Sequence, residues 1–266
     1  LTMHILEKKV RDAVAAGRYA LIPFLTAGYP DEDAFWEDMG DLDKNGADVI
    51  EIGVPFSDPV ADGPVVENAS RQVLADGMSL ARIMQGLRDH QGFFNAGLVL
   101  MGYMNPFLQY GFEKLAKECE EVGVSGMIIP DLPYEEAAPY RETLKKHGVA
   151  LIALVGPNTS EERMKLYADV SEGYIYVVSV MGVTGERSSV APAVVSTMER
   201  ARRCFRQPLA LGFGLSHPEQ LQILPDSAQP DAAVFGSALL KHLAAGLPAS
   251  EFMGRWTGES GRRFKK

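Results

Sequence analysis

Cysteine is nearly missing from this chain: two residues in 266, Cys119 and Cys204, far apart on helix-like stretches. That excludes a disulfide framework and fits a reducing, cytoplasmic setting. Histidine is also scarce. His4, His90, His147, His217 and His242 fall on helix or loop patterns, so no cluster points to a transition-metal centre. No apolar run approaches the roughly 18 residues of a membrane span. No basic-then-apolar segment opens the chain, so no secretory leader is expected. Positive charge is in deficit, with 26 Lys and Arg against 35 Asp and Glu. The resulting net charge of −9 argues against nucleic acid as the main partner. The one basic cluster, Arg255 to Lys266, reads as a solvated, frayed tail. No linker or low-complexity segment divides the chain. One domain is expected over residues 1–266, with a basic tail from about residue 250.

What is present is a regular alternation. Short aliphatic segments bounded by Gly or Pro begin at Ala20, Asp48, Gly97, Gly126, Ala150, Tyr174, Leu209 and Ala232. Most are continuous apolar runs, as in parallel strands buried on both faces. Helical patterns such as "GFEKLAKECEEVG" lie between them, several ending in the glycine common at helix C-termini. Strand-helix repeated eight times is the pattern of an α/β fold of the (β/α)8 TIM-barrel class. A doubly wound open sheet is the competing arrangement. Two additions to a bare barrel are expected. Residues 3–17 form a helix that covers the barrel's bottom, and residues 65–90 add helix between strands two and three.

Chemistry in such barrels sits where strands end. No strand carries a lysine, which excludes a Schiff-base aldolase. No dinucleotide fingerprint follows the first strand. Carboxylates remain: Glu51 inside the second strand, then Asp58 and Asp62 in its loop. A carboxyl in an apolar strand has a raised pKa, whether it is a buried structural group or a catalytic acid. Asp58 and Asp62 each have a turn-forming reading as well. Tyr176 is either core filling or a site residue. The Gly212-Phe213-Gly214 and Gly236-Ser237 segments end strands seven and eight, where many barrels hold a phosphate on backbone amides.

Together these residues resemble a known family. "EIGVPFSDPVADGP" (51–64) is similar to the signature of the tryptophan synthase alpha chain. "LIPFLTAGYP", "IIPDLPYEE", "GYIYVVSVMGVTG", "GFG" and "GSAL" extend the likeness from about residue 4 to 245. The resemblance implies a (β/α)8 barrel and cleavage of indole-3-glycerol phosphate to indole and glyceraldehyde 3-phosphate, with no cofactor in this chain. It places the catalytic carboxylates on Glu51 and Asp62. Phosphate contacts fall on Gly185, Gly214, Gly236 and Ser237, the active-site tyrosine on Tyr176, and the indole pocket on Phe24 and Phe213. It also implies a beta-chain partner carrying pyridoxal phosphate, in an alpha2-beta2 heterotetramer, docked around Pro55, Phe56, Asp58 and Pro59. A lid is implied over "GVTGERSS". Met181, Glu186 and Glu67 depart from the family's usual residues.

Overall fold

The computed structural model describes residues 2–179, 192–212, 214–259 and 261–263. The strands are β1 (Ala20–Thr26), β2 (Val49–Gly53), β3 (Gly97–Met101), β4 (Val124–Ile128), β5 (Ala150–Leu151), β6 (Ala153–Val155), β7 (Ile175–Val178), β8 (Leu209–Gly212) and β9 (Ala232–Phe235). All pair in parallel, in the order β5-β4-β3-β2-β1-β9-β8-β7-β6. β5 and β6 are two pieces of one strand interrupted at Ile152. The order therefore begins and ends on the same strand, and eight strand positions close into a barrel. This is the fold expected from the alternation, and it rules out the open sheet.

Strand periodicity sorts side chains into two cores. Ile50 and Ile52 of β2 face the surrounding helices, while Val49 belongs to the barrel interior with Ile22, Val99, Ile128 and Tyr174. Glu51 shares Val49's parity. Its register partners are Phe24 on β1 and Val99 on β3.

The barrel's floor is closed by the helix Ile5–Ala15, as expected from residues 3–17. Leu6, Val10 and Ala13 join the interior core. Leu6 fits because two strands carry glycine beneath it. A Cβ on Gly97 or Gly126 would lie 2.5 or 2.7 Å from a Leu6 methyl. Helices Pro64–Ala75 and Leu80–Asp89 occupy the expected insertion between β2 and β3.

The tail differs from its expectation. Trp256 is buried and stacks on Phe235, with ring centroids 5.2 Å apart. Arg263 pairs with buried Asp231 at 2.8 Å, and Arg262 forms an antiparallel bridge with Arg18. The tail is docked because Asp231 needs cations in a desolvated place. Arg202 supplies another at 2.8 Å. The cluster of basic residues is thus partly a set of counter-charges, which composition alone does not reveal.

Candidate active site

The carboxylates that crowd residues 48–62 have separate fates. Asp48 is structural: it pairs with Arg18 at 2.7 Å and accepts from the Leu21 amide at 2.8 Å. Asp58 is exposed. Glu51 and Asp62 lie at the C-terminal end of β2 and in the loop beyond it.

Glu51 has no exposed surface. Strand parity points it into the barrel, where the Tyr174 hydroxyl donates to Oε1 at 2.9 Å. Oε2 has no hydrogen-bond partner among the described residues. Burial pushes the Glu51 pKa up to about 8, and the bond from Tyr174 opposes that rise. Near neutral pH this carboxyl mostly keeps its proton.

Asp62 is held by a loop that Pro55 and Pro59 stiffen. The loop is anchored at both ends. Val54 donates to the Met101 carbonyl at 2.8 Å, and the Ala61 amide donates to the Tyr103 hydroxyl at 3.0 Å. Phe56 packs on the Tyr103 ring at 5.5 Å. Pro64, in the first turn of the next helix, fixes where the loop ends. Burial raises the Asp62 pKa to about 6, a hydrogen bond with Tyr103 lowers it, and Glu67 adds to the rise. Near neutral pH Asp62 is mostly ionised. The two carboxyls therefore hold opposite protonation states at the same pH.

Asp62 lines a narrow cleft with Phe24, Thr26, Gly53, Met101, Tyr103 and Pro130. Phe24 is wedged across the barrel mouth by glycines. A Cβ on Gly53 would lie 2.5 Å from its ring, and one on Gly236 would lie 3.1 Å away. Tyr176 is half-buried on β7 and lies over Gly212, where a Cβ would collide with its hydroxyl. Burial drives the Tyr176 pKa upward, and the charges of Glu51 and Asp62 add to it. All three groups thus share one electrostatic environment.

Across the mouth, Gly236 precedes the helix Ser237–Ala244, whose first amides receive no side-chain cap. Those amides and the helix dipole attract an anion. Ser237 is half-buried, and Gly214 is exposed with a left-handed φ of 45°. Gly185 and Phe213 lie outside the described residues, as do Met181, Glu186 and the "GVTGERSS" segment.

Two residues of this constellation were missed from sequence. Tyr174 holds Glu51, and its only signal was lying two positions before Tyr176, on the same strand face. Tyr103 holds the Asp62 loop, and stood out only as a strand-end tyrosine. Asp131, another strand-end acid, caps the Met104 amide at 2.9 Å.

Known proteins with this geometry converge on one family. The family model of the tryptophan synthase alpha chain matches residues 10–255. The chain is 65% identical over 254 residues to the tryptophan synthase alpha chain of Desulfovibrio desulfuricans, covering 96% of this chain and 100% of that one. It is 57% identical over 251 residues to that of Nitratidesulfovibrio vulgaris, covering 94% and 97%. Among solved structures, tryptophan synthase of Mycobacterium tuberculosis superposes with a TM-score of 0.88 at 31% identity, covering 99% and 100%. The alpha chain of Legionella pneumophila gives 0.82 at 30%, covering 98% and 97%. A family match over most of the length, with relatives above half identity, shows that this chain belongs to the tryptophan synthase alpha chain family.

Proposed function

We propose that Glu51 and Asp62 divide the acid-base work of this chain's reaction. That reaction is the alpha-subunit step of tryptophan biosynthesis, cleavage of indole-3-glycerol phosphate to indole and glyceraldehyde 3-phosphate. One observation carries the assignment. A buried carboxyl with its pKa near 8 lies at the mouth of the same barrel as one near 6.

The bond between indole C3 and the glycerol carbon is stable until C3 is protonated. Glu51 supplies that proton, and the ring becomes an electrophilic indolenine. As the bond breaks, its electrons return to the ring and the adjacent glycerol hydroxyl becomes a carbonyl. The hydroxyl proton goes back to Glu51, which regenerates the acid. Positive charge rests on the indole nitrogen from the protonation of C3 until the bond breaks, and ionised Asp62 beside the N–H stabilises it. Phe24, Tyr176 and Phe213 bound the ring. Gly185, Gly214, Gly236 and Ser237 receive the phosphate, aided by the uncapped helix amides. No cofactor in this chain enters the scheme.

Incubating the purified chain with indole-3-glycerol phosphate and measuring indole tests the reading. Asp62→Asn is expected to lower kcat/KM by about 10²–10³, the cost of losing one charge-stabilising group. A loss smaller than tenfold would remove Asp62 from the chemistry.

The family's partner is a beta chain, which carries pyridoxal phosphate. We infer docking at Pro55, Phe56, Asp58 and Pro59, in an alpha2-beta2 assembly. Asp58 is exposed beside this stiffened loop, and docking there biases Asp62 through the loop they share. A "GVTGERSS" lid would exclude water. Asp58→Ala is expected to reduce activation by a beta chain more than basal turnover. Equal losses in both would place the partner's contact elsewhere.

A further inference from the structure

A second cleft lies outside the barrel, between helices Tyr134–Lys146 and Glu161–Val170, against the interrupted strand β5–β6. It encloses about 290 Å³, at the small end for a ligand site, and of its lining residues only Pro130 is shared with the cleft at Asp62. Small-molecule sites commonly span roughly 300–1,000 Å³. β1, β2, β8 and β9 are buried along their whole lengths. Leu151 and Ala153 are not, and they line this gap, whereas Leu154 packs on the barrel interior.

Its rim is aromatic and cationic. Tyr134 and Tyr167 approach with ring centroids 5.2 Å apart. The Arg163 guanidinium is 5.7 Å from the Tyr167 ring and is already committed, to Glu135 at 2.7 Å. Arg141 is different. It is half-buried, with its guanidinium 5.9 Å from the Tyr134 ring. Its helix neighbours at the interacting spacings are Ala137, Ala138, Leu144 and Lys145, none of them acidic. It makes no ion pair among the described residues. A half-buried cation with no ion-pair partner among the described residues, set beside apolar strand surface and two tilted tyrosine rings, calls for an anion attached to a flat apolar body.

We propose that this cleft is a second small-molecule site, which takes a planar aromatic ring bearing a carboxylate. The ring lies on Leu151, Ala153 and Val170 under the tyrosine rims, and the carboxylate meets Arg141 with the half-buried Ser171 beside it.

The test uses the full chain and 2-naphthoate as probe, with affinity from calorimetry and location from methyl NMR shifts. Shifts are expected at Leu151, Ala153 and Val170, and none at Val66 or Met101 in the catalytic cleft. Arg141→Gln is expected to weaken binding about ten- to a hundredfold, with an unchanged melting temperature. Arg141→Lys should restore part of the loss. The uncharged 2-naphthamide should bind as weakly to the unmodified chain as 2-naphthoate does to Arg141→Gln. The proposal is overturned by any of three results: no saturable binding, shifts confined to Val66 and Met101, or equal affinity of acid and amide.

Discussion

Replacing Glu51 with glutamine separates activity from stability, and the two effects run in opposite directions. Glutamine keeps the shape and can still accept from Tyr174, but it cannot give up a proton. Losing the general acid is expected to lower kcat/KM by about 10²–10⁴. Stability follows from the pKa. Folding raises the Glu51 carboxyl from 4.5 to about 8. Between those values the unfolded chain has released the proton and the folded chain retains it. The unfolded state thus binds fewer protons, and wild-type stability falls as pH rises through this window. The accumulated penalty above the folded pKa is on the order of a few kcal/mol, at ~1.4 kcal/mol per unit. Glutamine carries no such penalty. In urea melts, Glu51→Gln should match wild type near pH 4.5 and exceed it increasingly up to about pH 8. A difference between the two proteins that does not grow with pH would refute the buried, protonated carboxyl. Indole release above a tenth of wild type would refute its role as the acid.

Tyr174→Phe removes the bond that lowers the Glu51 pKa, so the alkaline limb of kcat/KM should move above about 8. A limb that stays in place would show that Glu51 does not set it. Gly236→Asp places a negative charge before the uncapped helix amides and should abolish inhibition by glycerol phosphate. Gly236→Ala makes the same contact with Phe24 at 3.1 Å without the charge, and should retain most of that inhibition. Equal inhibition in both variants would move the phosphate site elsewhere.

The barrel was legible because its strands are buried on both faces and read as plain apolar runs. Glu51 was legible for the converse reason: it interrupts such a run. Relations between distant residues were not. Nothing local tells that Tyr174 reaches across the barrel to Glu51, since a tyrosine in a strand is ordinary core. Tyr103 is similar, because its hydroxyl serves an amide 42 positions away. The tail was misread because its counter-charge, Asp231, precedes it in sequence and meets it only after folding. The break at Ile152 was invisible too. "ALIALVG" is as apolar as its neighbours, and only the assembled sheet shows that its two halves pair with different strands.

Both ends of the described chain are fastened to the barrel's floor. The first helix plugs it through Leu6, and residues 262 and 263 bond to Arg18 and to the Gly17 carbonyl. The mouth that carries Glu51 and Asp62 is left to internal loops. A tag, tether or fused enzyme that continues from either end of the described chain therefore starts on the side away from the substrate's path. Fusion and catalysis occupy opposite poles of the molecule, and a lineage can explore the first without disturbing the second.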